Sequence, residues 1–490
     1  MASWKPSPHE VARILVEQSP WHATGAVPTA LAQEVERPLA RMLWRPVLDP
    51  GNPRRAHVIL GPRRVGKTTV MYQTVRRLLA EGILPGRLWW LRMDHPFLMR
   101  EPLGDLVRRV IEETQANASS EVYLFLDELV YAADWDLWLK TFHDERWPVR
   151  IVGTSSATAA LRDRHRESGV GRWDEHHLGP YQFSEYLDLV SFDAAVDVGP
   201  NLAETLTQMP RSSGPRRDLA ELRRTFALVG GFPELLMADQ SGADMETRLL
   251  RSQQRLRDEA IERAVYKDIP QSFGIDNPML LERLLYVLAG QVAGILSPSN
   301  LTKELDGLSQ PTLDRYISYL EQTFLVFRTL NYSGTEASVQ RRGRKLYFLD
   351  GAVRNAALQR GLAPLTDPAE MGLVLEGLVA SALHSLALQS GHRLYHWRHA
   401  KTEVDFVLDH PSGPVAFEVA SSPSHHLGGL RKLVELHPKL ADRAYLVSPD
   451  SPTRAPKHGE PGSLPLDSLL VAVGRQADAA AAHRLRAGHR

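Results

Sequence analysis

Residues 58–69 read Val-Ile-Leu-Gly-Pro-Arg-Arg-Val-Gly-Lys-Thr-Thr, and this stretch decides the fold. Val58-Ile59-Leu60 is a short apolar run that predicts a buried strand. Val70, Met71, Val75, Leu78 and Leu79 follow near helical spacing, and Gly82 marks the stop of that helix. A G-x-x-x-x-G-K-[ST] loop between a strand and a helix cradles phosphate. Gly61 and Gly66 let the backbone turn its N–H groups inward. The helix N-terminus adds free amides and the positive end of its dipole. Gly61, Pro62, Arg63, Arg64, Val65, Gly66, Lys67, Thr68 and Thr69 are therefore the expected ATP-binding loop. Lys67 should reach the β- and γ-phosphates, and the Thr68 hydroxyl should ligate Mg2+.

The matching half of such a site is Glu121–Leu129, an apolar strand ending in Asp127-Glu128. A buried parallel strand delivers acids at its C-terminal end, where open α/β sheets bind ligands. Asp127 is expected on Mg2+ and Glu128 beside the attacking water. A further buried strand over 149–157 ends in Thr154 and Ser155, expected either to touch the γ-phosphate or water, or to cap the next helix. Arg164, Arg166 and Arg172 follow. Arg172 is the candidate to reach a γ-phosphate, in this chain or a neighbouring subunit. His165, His176 and His177 lack metal-ligand spacing.

Composition narrows the classes. Lys+Arg and Asp+Glu both number 58, so net charge is zero and only a local patch can favour nucleic acid. The absence of cysteine excludes disulfides and thiolate chemistry and fits a cytoplasmic protein. The N-terminus has no apolar signal core, and no run approaches a membrane span, LWWLRM at 88–93 being far too short. At 490 residues the chain should hold two to four domains.

GPRRVGKTT, LFLDEL, VGTSSA, Gly171-Arg172, LGPYQFSEYL and GGFPE at 230–234 occur in that order. Together they resemble prokaryotic AAA-superfamily ATPases that carry a C-terminal domain of uncharacterised function. The combination of Pro180, Phe183, Glu185 and Tyr186 with Gly230-Gly231-Phe232-Pro233-Glu234 is its most specific part, and the resemblance spans roughly residues 35–473. It implies an α/β fold: a RecA-like P-loop ATPase core at 55–180 with a helical lid at 181–274. Residues 1–54 read as a lead-in that packs on the core or as a partly ordered arm. Residues 191–218 read as a mobile insertion.

From 278 the pattern becomes three helices, the last running through 330, and then a wing, a winged helix-turn-helix at 275–353 that either contacts DNA or serves only as a packing module. Arg315 on its third helix and Arg341, Arg342, Arg344 and Lys345 in its wing are candidate contacts to duplex DNA, mainly to phosphates. Residues 354–473 place Glu376 on an apolar helix and Asp405 and Glu418 on strands, which resembles the restriction-endonuclease-like PD-(D/E)xK core. That likeness implies Mg2+ on the acids and a lysine two residues after the second acid. Alanine stands at that place, position 420, with Lys401 and Lys432 as substitutes. The expectation is a degenerate, binding or structural domain without nuclease turnover, its acids still able to cluster on Mg2+. Residues 474–490 read as a fraying helix or tail. The expected function is an ATP-hydrolysing switch or machine acting on DNA. The alternatives are an ATP-gated signalling or defence regulator of a protein partner, and an ATP-regulated nuclease. A homo-oligomer is compatible with each.

Overall fold

A computed structural model describes residues 7–49, 55–156, 171–209, 217–237, 242–275, 277–305, 307–333, 343–421, 425–457 and 459–487. The chain divides into two compact units, residues 1–178 with 485–490, and residues 179–484.

The first unit is built on β1 (Ala56–Leu60), β2 (Leu88–Arg92), β3 (Val122–Asp127), β4 (Val149–Ser155) and β5 (Trp173–His177). They pair in the order β2-β3-β4-β1-β5, every pair parallel. Strands buried on both faces need continuous apolar runs, and β1 and β4 are buried along their whole length. The helix Lys67–Ala80 follows β1, and its Tyr72 stacks on Trp90 of β2 at 3.9 Å. The lead-in is built into the unit. Val11, Ile14, Trp21, Leu39 and Leu43 are buried. Its side chains also meet the backbone of β2, the sheet's edge: Ser19 Oγ accepts from the Trp90 N–H at 2.9 Å and Gln18 Oε1 from the Arg92 N–H at 2.7 Å. Trp21 Nε1 donates to the Leu88 carbonyl at 2.7 Å.

The second unit holds a seven-stranded mixed sheet, β12-β11-β10-β9-β8-β6-β7. Its strands are β6 (Val326–Asn331), β7 (Lys345–Phe348), β8 (Arg393–His399), β9 (Thr402–Asp409), β10 (Val415–Val419), β11 (Ala444–Ser448) and β12 (Gly462–Pro465). The helices Pro278–Gly290, Pro298–Glu304 and Gln310–Gln322 lead into the antiparallel pair β6–β7. The last residues of β6 then pair with β8, so the sheet runs across the division expected at 353/354. The segment expected as a lid lies in this unit. The Gly230-Gly231 turn is held here, the Gly231 N–H donating to Asp350 at 2.7 Å and the Gly231 carbonyl accepting from the Tyr181 N–H at 2.6 Å.

Three expectations need correction. The segment read as a tail continues the helix Leu466–Ala487, where Arg475 pairs with Asp188 at 2.6 Å and Gln476 accepts from Thr205 at 2.7 Å. Those contacts also order part of the segment read as a mobile insertion, whose helix Leu202–Gln208 carries Thr205; residues 210–216 lie outside the described residues. Finally, the helix Pro368–Ser390 is long and apolar enough to cross a bilayer by length and composition. Its Val379, Leu383 and Leu386 are buried within the second unit, so the same composition serves a core helix.

Candidate nucleotide site

In a parallel sheet all strands end at one edge. Since β4 lies between β1 and β3, the loop after β1, the acids ending β3 and the hydroxyls ending β4 are neighbours there. The loop's glycines are dictated by space and dihedral angle. A Cβ on Gly61 would lie 1.9 Å from the Leu178 carbonyl oxygen, and Gly66 has φ +89°. The Lys67 side chain is buried, its Nζ donating to the carbonyls of Gly61 at 3.0 Å and Pro62 at 2.9 Å. Arg63 donates to the Tyr131 hydroxyl at 3.2 Å, and Arg64 is exposed.

Thr68 Oγ1 donates to both oxygens of Asp127, at 3.1 and 3.2 Å. A hydroxyl and a carboxylate side by side are a donor set that suits Mg2+. Burial pushes the Asp127 carboxyl up to about 6, with the charge of Glu128 adding to it, while bonds from Thr154 and Thr68 oppose the rise. Asp127 therefore takes up a proton as pH falls through about 6, and a metal must displace it. The expected result is an apparent Mg2+ affinity that drops about tenfold per pH unit below that point, read by Mg2+ titration of nucleotide binding. A flat response between pH 5 and about 7 would contradict this role. The fold should survive the acid. A carboxyl raised above its unfolded value stabilises the folded state when protonated, and that contribution is lost only as pH rises.

Thr154 ties together the two acids that end β3. Its Oγ1 donates to Asp127 Oδ1 at 2.7 Å and accepts the Glu128 N–H at 2.9 Å. It thus fixes both acids. Ser155 is fully buried and its carbonyl accepts from the Gly61 N–H at 3.3 Å. Glu128 itself has φ 58° and ψ 56°, a left-handed conformation that costs a side-chain-bearing residue about 1–3 kcal/mol. That bend brings its Oε2 to Ser156 Oγ, which donates at 3.2 Å. Sequence reasoning missed Ser156, as it missed Arg37, whose buried guanidinium donates to the Val65 carbonyl of the phosphate loop at 2.8 Å.

Arg172 stands away from the phosphate loop of its own chain. It directly precedes β5, which starts level with the first residue of β1, so it sits at the sheet edge opposite that loop. There its Nε donates to Asp144 at 3.1 Å. Arg164, Arg166 and His165 lie outside the described residues. His176 Nε2 is 3.1 Å from His57 Nδ1.

In the second unit Arg315 is exposed and Arg344 half-buried, and Arg341 and Arg342 lie outside the described residues. Lys345 overturns its expected DNA contact. It is 1% exposed, and its Nζ lies 2.6 Å from Glu403 and 3.8 Å from Asp405. The strand period of two turns Lys345 and Tyr347 to the same buried side of β7. Tyr347 donates to Glu376 at 2.9 Å. Burial, reinforced by Asp405, pushes Glu376 up to about 8 and Glu418 up to about 9. Lys401 is exposed and Lys432 pairs with Glu435 at 2.8 Å, so neither takes the place of a lysine at 420.

Comparison with known proteins matches three stretches of the chain. Residues 220–363 and 371–458 match two different domains of unknown function. Two uncharacterised proteins of Methanocaldococcus jannaschii are 22% and 27% identical, covering 73% and 72% of this chain and 72% of each relative. An uncharacterised protein of Haemophilus influenzae is 22% identical over 61% of this chain and 68% of its own. Among solved structures, C. elegans PCH-2 has a TM-score of 0.28 at 15% identity, covering 49% of this chain and 73% of that one. The replication initiator DnaA bound to AMPPCP and single-stranded DNA has 0.29 at 11% identity, covering 61% and 92%. Overall agreement with both is low. Residues 53–187, which contain the phosphate loop, both acids and Thr154, match the AAA domain.

Proposed function

We propose that the first unit binds ATP with Mg2+ and hydrolyses it. The observation that carries this reading is the pairing of Thr68 with Asp127 beside the buried Lys67, at the sheet edge where the phosphate loop begins. Lys67 and the loop amides bind the phosphates. Thr68 and Asp127 hold the metal, which neutralises charge on the β- and γ-oxygens when bound. Thr154 keeps Asp127 in place through its hydroxyl. Glu128 orients and polarises the attacking water, its carboxylate set by Ser156. The match to the AAA domain supports the same reading. Phosphate release by the purified chain tests it: turnover should require ATP and Mg2+ and stop with a chelator. No turnover and no ATP binding would sink it.

A second reading, contact with duplex DNA, is favoured by one observation. Arg315 stands exposed on the third of three successive helices that precede the β6–β7 pair. With Lys345 withdrawn, the basic surface there is smaller than the sequence implied, so binding should be weak and non-specific. Affinity should fall steeply with salt, and Arg315→Ala with Arg344→Ala should lower the slope of log affinity against log salt by about 2. An unchanged slope would remove DNA from the reading and leave regulation of a protein partner.

A further inference from the structure

Five side chains of the second unit meet around the buried Lys345: Lys345 and Tyr347 on β7, Glu403 and Asp405 on β9, and Glu376 on the helix Pro368–Ser390. Glu418 on β10 joins them through its electrostatic coupling to Asp405. Asp405 is buried, Glu376 and Glu418 are half-buried and the Glu403 side chain is 38% exposed, and carboxylates withdrawn from water together demand a cation or protons. Protein donors already meet much of that demand. Asp405 Oδ2 accepts from the Val419 N–H at 2.9 Å, and its Oδ1 faces Lys345. Glu376 Oε1 accepts from Tyr347, Glu403 takes the ammonium at 2.6 Å, and Glu418 Oε1 lies 3.2 Å from His425 Nε2. Among the described residues no three Asp, Glu or His side chains converge as a metal requires. The acids thus fail to fit the Mg2+ that their order in the sequence implied. Position 420 does not restore it, because Ala420 belongs to an apolar cluster with Val404, Ala416 and Leu430.

We propose that Lys345 is the resident cation of this cluster: its ammonium takes the part a divalent metal would otherwise play, and the second unit neither binds metal there nor cleaves phosphodiesters. The lysine stands on β7, at the edge of the sheet, and its side chain turns inward to the acids of β9. Its removal should leave Glu403 and Asp405 without their cation and open to a metal.

The test uses the full chain without nucleotide, so that the first unit contributes equally to every sample. Mn2+ is titrated by calorimetry and by electron paramagnetic resonance into wild type and Asp405→Asn. Uptake should be the same in both. Lys345→Met should melt roughly 5–10 °C lower than wild type, and Mn2+ should recover much of that loss. Lys345→Arg, which keeps the charge, should gain nothing from Mn2+. Mn2+ bound by wild type and lost in Asp405→Asn would overturn the proposal, as would Mn2+-dependent DNA cleavage that disappears in Asp405→Asn. An equal Mn2+ response of Lys345→Met and wild type would also overturn it. If Lys345→Met does not fold, the comparison of wild type with Asp405→Asn decides alone. None of these outcomes depends on ATP hydrolysis.

Discussion

Glu128→Gln should bind ATP as wild type does and hydrolyse it about 10^2–10^3-fold more slowly. The amide keeps the shape and can still accept from Ser156 Oγ, the 3.2 Å contact that sets the side chain. What it loses is the charge that polarises water. The backbone of Glu128 is held independently, by its N–H on Thr154 at 2.9 Å, so the substitution should not release the left-handed turn. The measurement is single-turnover hydrolysis beside equilibrium binding of a labelled ATP. Wild-type turnover in this variant would remove Glu128 from the chemistry. Ground-state affinity lost in parallel would mean that its role is binding.

Lys67→Ala should show the opposite pattern, a loss of affinity before any loss of rate. The ammonium is buried and donates to two loop carbonyls, Gly61 and Pro62, at 3.0 and 2.9 Å. Charge-assisted bonds to phosphate contribute about 1.5–3 kcal/mol each, so ATP affinity should fall about 10–100-fold. The loop itself is kept in place by other contacts, including Arg37 on the Val65 carbonyl, and circular dichroism should be unchanged. Unaltered ATP affinity in a folded Lys67→Ala protein would refute the phosphate role.

The nucleotide site was legible because its parts are local. A strand, a loop and a helix in sequence order specify the phosphate loop, and strand ends specify where Asp127 and Thr154 stand. What was not legible depends on geometry no short pattern encodes. Ser156 meets Glu128 only because Glu128 bends into a left-handed conformation. Arg37 reaches the loop across 28 residues from outside any motif. Lys345 was misread because Arg341, Arg342 and Arg344 surround it with basic neighbours. The alternation of β7, and acids that arrive from β9 and from the helix Pro368–Ser390, turn it inward. The place of Arg172 is not legible because order along the chain says which strand follows it but not which end of the sheet it occupies. The C-terminal helix looked like a tail because its alanines pattern weakly, while Arg475 and Gln476 find partners more than 270 residues away.

The edge of the first sheet has a consequence for assembly. An open strand edge is a template on which any extended peptide, including another copy of the same strand, can add. On β2 the outward groups are already taken by side chains: Leu88 by Trp21 and His22, Trp90 by Ser19, and Arg92 by Gln18. Residues 18–22 thus act as a selvedge, finishing the sheet without extending it. Growth by strand addition on that side is blocked by this segment. Changes there should therefore bear on solubility and association.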